Sequence, residues 1–122
     1  MKRLILSAYV ALTAMGAVAQ QTEIFPKPHQ ISWGADKAFD NTAAYTLVGA
    51  ADADADAVAL LAKHFSTEGG IINLTIGERG DAAIADYESS IPAKSEGYYL
   101  SVSTDGVVIA GNDAMGTYYG VQ

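Results

Sequence analysis

The sequence predicts one domain built on a mixed β-sheet that carries helices, in the order ββ-β-α-β-α-β-β-α. Three observations predict it. Apolar and β-branched segments recur at Tyr45–Val48, Ile71–Ile76, Tyr98–Val102 and Val107–Ala110. Between several of them lie residues whose apolar positions fall at helical spacing, and strands joined through helices lie parallel, with right-handed crossovers. The last two segments are instead joined by Asp105-Gly106. That dipeptide favours a two-residue hairpin because both positions tolerate positive φ, so this pair is antiparallel. No linker-like stretch divides the pattern.

The first residues stand apart from the fold. Lys2 and Arg3 form a basic start, Leu4 to Met15 an apolar run, and Ala17-Val18-Ala19 a small-x-small end. This is the three-part pattern of a signal peptide, cleaved after Ala19, with residues 20–122 as the exported domain, periplasmic or secreted. The run is shorter than the roughly 20 residues a comfortable span needs, so no membrane span is expected after its removal. The chain has no cysteine, which excludes a lipid-anchored lipoprotein and any disulfide. Stability then has to come from the core or from packing on a neighbour.

The elements follow in order. Pro26 and Pro28 hold Ile24 to His29 extended. Ile31-Ser32-Trp33 and Lys37-Ala38-Phe39 read as two short strands around Gly34-Ala35-Asp36. Tyr45–Val48 is a third strand. Val58, Leu61, Ala62 and Phe65 share one face of a helix that Gly69-Gly70 closes. Ile71–Ile76, with little polar interruption, reads as a central strand, and Gly77–Gly80 as a turn. Asp81 opens a second helix carrying Ile84, Tyr87 and Ile91, and Pro92 stops it. Tyr98, Leu100 and Val102 alternate with Tyr99, Ser101 and Ser103 in the next strand. Val107–Ala110 is apolar on both faces, as expected of a strand covered on both sides. Asn112 or Asp113 caps a last helix presenting Met115, Tyr118 and Tyr119. That helix meets Gln122 without a stop signal, which reads as the front piece of a longer chain.

Charge narrows the function classes. The chain carries 14 acidic residues against 7 Lys and Arg, a net charge of −7. Without Lys2 and Arg3 the exported domain stands at −9. Such a field repels phosphate backbones and anionic lipid, which disfavours nucleic acid and membrane surfaces as partners.

The candidate motifs each have a plainer use. Asp52, Asp54 and Asp56 have the spacing that starts a calcium loop, but Ala57 and Lys63 stand where its Gly and Glu are required. At a helix start, carboxylates cap free N–H groups instead. Gly77-Glu78-Arg79-Gly80 lacks the spacing of a phosphate loop and is flanked by Glu78 and Asp81. It also lacks the basic surroundings of a nucleic-acid GxxG loop. His29 and His64 have no cysteine or HExxH partner to build a zinc site, and no serine lies in GxSxG. The acids cluster at helix starts and turns rather than at the ends of several strands, so no acid–base pair is assigned. Asn73-Leu74-Thr75 matches a glycosylation sequon inside a strand, where it reads as chance. Trp33, Tyr98, Tyr99, Tyr118 and Tyr119 could stack on sugars, but Tyr98 and Tyr118 fall on core faces. No catalytic, cofactor-binding or metal residue is therefore named, and no cofactor is expected.

Several segments carry a resemblance. IGERGD at Ile76–Asp81, Ile91-Pro92, EGYYLSV at Glu96–Val102, and AGND and GTYYGVQ up to Gln122 resemble the N-terminal domain of secreted bacterial β-N-acetylglucosaminidases. The PKPHQISWG segment, Pro26–Gly34, is similar to the start of the same domain. The wording is most similar to glycoside hydrolase family 84, the O-GlcNAcase-like enzymes, and family 20 hexosaminidases share a similar domain. The resemblance implies an α+β domain preceding a catalytic (β/α)₈ barrel. In these families the barrel binds the N-acetyl sugar, and the substrate's own acetamide acts as nucleophile. The family 84 catalytic pair is two adjacent aspartates, which this sequence lacks, so no catalytic role carries over to any position. The expected function is a non-catalytic domain of an exported hydrolase acting on β-linked N-acetylhexosamine. Its partner is the barrel of the same polypeptide, and glycan is met through that barrel. A free-standing carbohydrate-binding or adhesion module, and a truncated gene product, are the alternatives.

Overall fold

The computed structural model describes residues 27–34 and 42–122. The chain divides into two compact units, Met1–Ile31 and Ser32–Gln122, and the regular structure among the described residues lies in the second. Its elements are β1 (Tyr45–Val48), α1 (Ala55–His64), β2 (Ile72–Glu78), a 3₁₀ helix (Ala82–Ser90), β3 (Tyr98–Ser103), β4 (Gly106–Gly111) and α2 (Ala114–Val121). The strands form one sheet in the order β1-β2-β4-β3. β1, β2 and β4 run parallel, and β3 is antiparallel to β4. This is the mixed α+β sheet the sequence implied, with β2 inside it.

The sheet is covered on both faces. On one, Tyr45, Leu74, Ile76, Val107 and Ile109 meet Ala57 and Leu61 of α1, with Tyr118 and Val121 of α2 against them. On the other, Val108 and Ala110 meet Ile84 and Ile91, with Tyr87 and Tyr99 alongside. Neighbouring strand residues point to opposite faces, so two cores explain the unbroken apolar run of β4. Tyr87 and Tyr99 stack at 6.2 Å between ring centroids, tying the 3₁₀ helix to the edge strand.

The local devices differ from the sequence reading in several places. Ile31-Ser32-Trp33 is irregular and exposed rather than a strand, while Lys37–Phe39 and residues 1–19 lie outside the described residues. Helix α1 starts as expected, with the Asp54 carboxylate accepting from the Ala57 N–H at 2.9 Å. It ends at Phe65, before Gly69-Gly70. Ala62 is exposed, and Ala57 takes the buried position instead. The second helix is 3₁₀, not α. Ile84 and Tyr87 are three apart, a spacing that eclipses on a 3₁₀ helix and serves either form.

The hairpin also shifts by one residue. Ser103 pairs with Gly106, so the two-residue turn is Thr104-Asp105 rather than Asp105-Gly106. Gly106 already belongs to β4, where a Cβ would come within 2.8 Å of the Asn73 carbonyl oxygen. Its φ of +159° and this close approach to β2 both select glycine. In α2, Met115 is 47% exposed and the buried face is Gly116, Thr117 and Gly120. Small residues there let the helix lie close on the sheet.

Candidate functional site

In sheets with parallel strands, ligands are bound outside the carboxyl ends of the strands. Glu78 and Gly111 are paired in register at those ends of β2 and β4. Here the conspicuous motifs meet. The Arg79 backbone N–H donates to the Gly111 carbonyl at 2.8 Å. Its guanidinium donates through Nε to Asn112 Oδ1 at 2.7 Å and through a terminal nitrogen to the Ile91 carbonyl at 3.0 Å. One arginine thus joins IGERGD, the Ile91-Pro92 stop and AGND.

The acids at this end hold backbone. Asp81 accepts from the Glu78 N–H at 2.8 Å, which explains why it does not cap the 3₁₀ helix with its side chain. Glu88 Oε1 accepts from the Gly80 N–H at 2.8 Å. Asp113 uses both oxygens: Oδ1 accepts from the Gly116 N–H at 2.8 Å and Oδ2 from the Glu96 N–H at 2.9 Å. The Asn112 N–H donates to the Gly97 carbonyl at 2.8 Å, closing the loop before β3 onto the start of α2. The buried Thr117 hydroxyl lies 3.3 Å from the Gly77 carbonyl oxygen and 3.1 Å from that of Asp113. It links α2 to β2 across the sheet.

The sequence placed these acids at helix starts and turns, away from strand ends. The structure places them at both, because the helix starts and the carboxyl ends of the strands coincide. Sequence reasoning missed the Arg79–Asn112 contact. The two residues are 33 apart, and only the parallel register of β2 and β4 brings them together.

The model of glycosyl hydrolase family 20, domain 2, matches residues 21–122. The chain belongs to that family. The solved structure of CpGH84B has a similar fold, with a TM-score of 0.62 and 24% identity over 83% of this chain. The match spans 19% of the CpGH84B chain, so this chain covers about a fifth of that protein's length. The hexosaminidase-type resemblance read from the motifs is borne out, with family 20 as the family named.

In this family 20 domain the electrostatics follow from the bonding. The two N–H donors from Glu96 and Gly116 hold the Asp113 carboxyl below its ordinary range. A depressed carboxyl contributes stability above its ordinary pKa, and that stability is lost as pH falls through the folded value. Asp113→Ala is expected to cost about 1–2 kcal/mol, as a lost N-cap does. Asp113→Asn should recover only part of this, because one amide oxygen cannot serve both N–H groups. Urea denaturation of the two variants checks the order; full recovery by asparagine would remove the two-oxygen role.

The other candidate residues remain dispersed. Asp54 caps α1 and Asp56 is exposed in its first turn. His29 and His64 are exposed. Among the described residues, no three of His, Cys, Asp and Glu are arranged to hold a metal ion. Asn73 lies within β2. A shallow groove between α1 and α2 is lined by Leu60, Lys63, Met115 and Tyr118, with Asp54 and Asp56 at one end. Trp33 is exposed, whereas Tyr98, Tyr99, Tyr118 and Tyr119 are half-buried, so they do not make an open stacking platform.

Proposed function

We propose that this chain is the non-catalytic N-terminal domain of an exported glycoside hydrolase acting on β-linked N-acetylhexosamine. Its catalytic (β/α)₈ barrel belongs to the same polypeptide, beyond residue 122. The domain packs on that barrel and orients it; glycan reaches the protein through the barrel, and no cofactor takes part. In this proposal residues 1–19 are a signal peptide, residues 20–122 form the domain, and the protein is periplasmic or secreted.

One observation carries the non-catalytic reading. At the carboxyl ends of the strands, Arg79, Asp81, Glu88 and Asp113 all hydrogen-bond to residues of the domain's own loops. An acid that protonates a leaving group needs a carboxyl facing substrate. These side chains organise backbone instead. Incubated with an aryl N-acetyl-β-glucosaminide, the 122-residue chain is expected to release no aryl alcohol above buffer. Steady turnover that follows the chain through purification would refute the assignment.

A further inference from the structure

Three exposed apolar side chains lie on one side of the sheet. Leu100 and Val102 are exposed on β3, which pairs them with Ile109 and Val107. Paired residues share a face, so both stand on the side that carries α1 and α2. Met115 of α2 is the third. Beyond the 3₁₀ helix the opposite side is polar, with Thr46, Asn73 and Ser103 exposed in one row across the sheet. The groove between α1 and α2, of about 420 Å³, belongs to the apolar side. Helix α1 lines it with Asp56, Leu60 and Lys63, at i, i+4 and i+7 and so on one stripe. Helix α2 lines it with Met115 and Tyr118. Asp54 also stands at the acidic end, but its carboxylate holds the Ala57 N–H, whereas Asp56 and Lys63 are exposed. The groove is therefore apolar along its middle, with an acid and a base about 10 Å apart at a helical rise of roughly 1.5 Å per residue.

We propose that this groove seats an amphipathic helix from the outer ring of the catalytic barrel. Its apolar stripe lies on Leu60, Met115 and Tyr118, with a basic side chain toward Asp56 and an acidic one toward Lys63. The inference rests on the reading of a barrel in the same polypeptide, and it names the face of the domain that meets it. A (β/α)₈ barrel is walled by helices, and the ridge of one helix packs into the groove that others present.

Connectivity and charge favour this occupant. On the same reading the barrel is joined to α2, which is itself one wall of the groove. A second copy of the chain would instead bring another net charge of −7 against the first, which opposes self-association. Leu100 and Val102 extend the apolar side past the groove, and exposed apolar patches rimmed by polar residues mark interaction sites.

Met115 is the single methionine of residues 20–122, which makes peroxide oxidation a site-specific probe of the groove. The full-length native protein and the 122-residue chain are treated with hydrogen peroxide, and sulfoxide at Met115 is followed by peptide mass spectrometry. Met115 is expected to oxidise several-fold more slowly in the full-length protein. Equal rates overturn the proposal and leave the barrel reading intact. If no species larger than this chain is found, both fall together. Protection that arises in the 122-residue chain and grows with its concentration assigns the groove to a second copy, which also overturns the proposal. Met115→Lys gives a second measurement. It should change the unfolding midpoint of the 122-residue chain little, because Met115 is exposed there, and lower that of the full-length protein by several degrees. Ala85→Lys, exposed on the 3₁₀ helix across the sheet, should be neutral in both. A full-length Met115→Lys protein as stable as its parent overturns the proposal.

Discussion

Gly116→Ala is expected to destabilise the domain by about 3 kcal/mol, the upper end for overpacking a tight contact. A Cβ at this position would stand 2.2 Å from the Gly97 carbonyl oxygen and 3.2 Å from the Glu96 carbonyl carbon. Both obstacles are backbone, so no side chain can rotate away. The helix would have to lift off the loop before β3, and the Asp113 contacts to the Glu96 and Gly116 N–H groups would open with it. The loss is a large share of the 5–15 kcal/mol that holds a typical domain. Urea denaturation reads it as a lower midpoint at unchanged slope. Gly34→Ala, where nothing lies within 4 Å, is the control and should be neutral. A Gly116→Ala midpoint equal to the parent's would mean that α2 does not sit on Gly97.

Ile76→Ala is expected to cost about 3–4 kcal/mol, in the range for deleting a buried aliphatic side chain from a close-packed core. Ile76 is 0% exposed on a strand with neighbours on both sides, and it packs with Tyr45, Leu74 and Ile109. Ile71, five residues earlier in the same apolar run, is 98% exposed. Ile71→Ala should therefore change the midpoint little. The pair tests the register of β2 as much as its burial, because a slip by one residue would send Ile76 to the opposite face. Similar losses at both positions would contradict the register.

The contrast between these isoleucines shows where the sequence was legible. β2, β4 and α1 were readable because a long apolar run, a doubly apolar strand and an aspartate before a helical pattern each have one physical explanation. The sequence offered Asp52, Asp54 and Asp56 at one helix start and Asn112 or Asp113 at another, and Asp54 and Asp113 take the caps. Ile71 was not, since burial at the end of a run depends on where the neighbouring strand begins, and β1 pairs from Ile72 onward. Met115 failed similarly. Helical spacing put it on the apolar face, but the close contacts of Gly116 and Gly120 rotate α2 so that its small residues meet the sheet. Gly106 looked like a turn residue because its crowding against Asn73 comes from a strand 33 positions away in the chain.

The candidate site was legible as wording and not as geometry. GERGD, Ile91-Pro92, and AGND stood out as family motifs, yet nothing local says that Arg79 reaches Asn112 and Ile91. Nor does a sequence distinguish an aspartate that holds two N–H groups from one that faces a substrate. Asp113 turned out to be the former. The Arg79–Asn112 bond is long-range, and it needed the parallel register of β2 and β4 to be seen.

The central claim is that this domain serves a larger hydrolase without catalysing anything itself. The most direct measurement is the intact mass of the native protein, captured from its source with an antibody raised to residues 20–122. The account predicts a species far above the 12.7 kDa of this chain, beginning at Gln20 and cleaving an aryl N-acetyl-β-glucosaminide. A species slightly below 12.7 kDa, without hydrolase activity, would contradict it and leave a free-standing binding module or a relic.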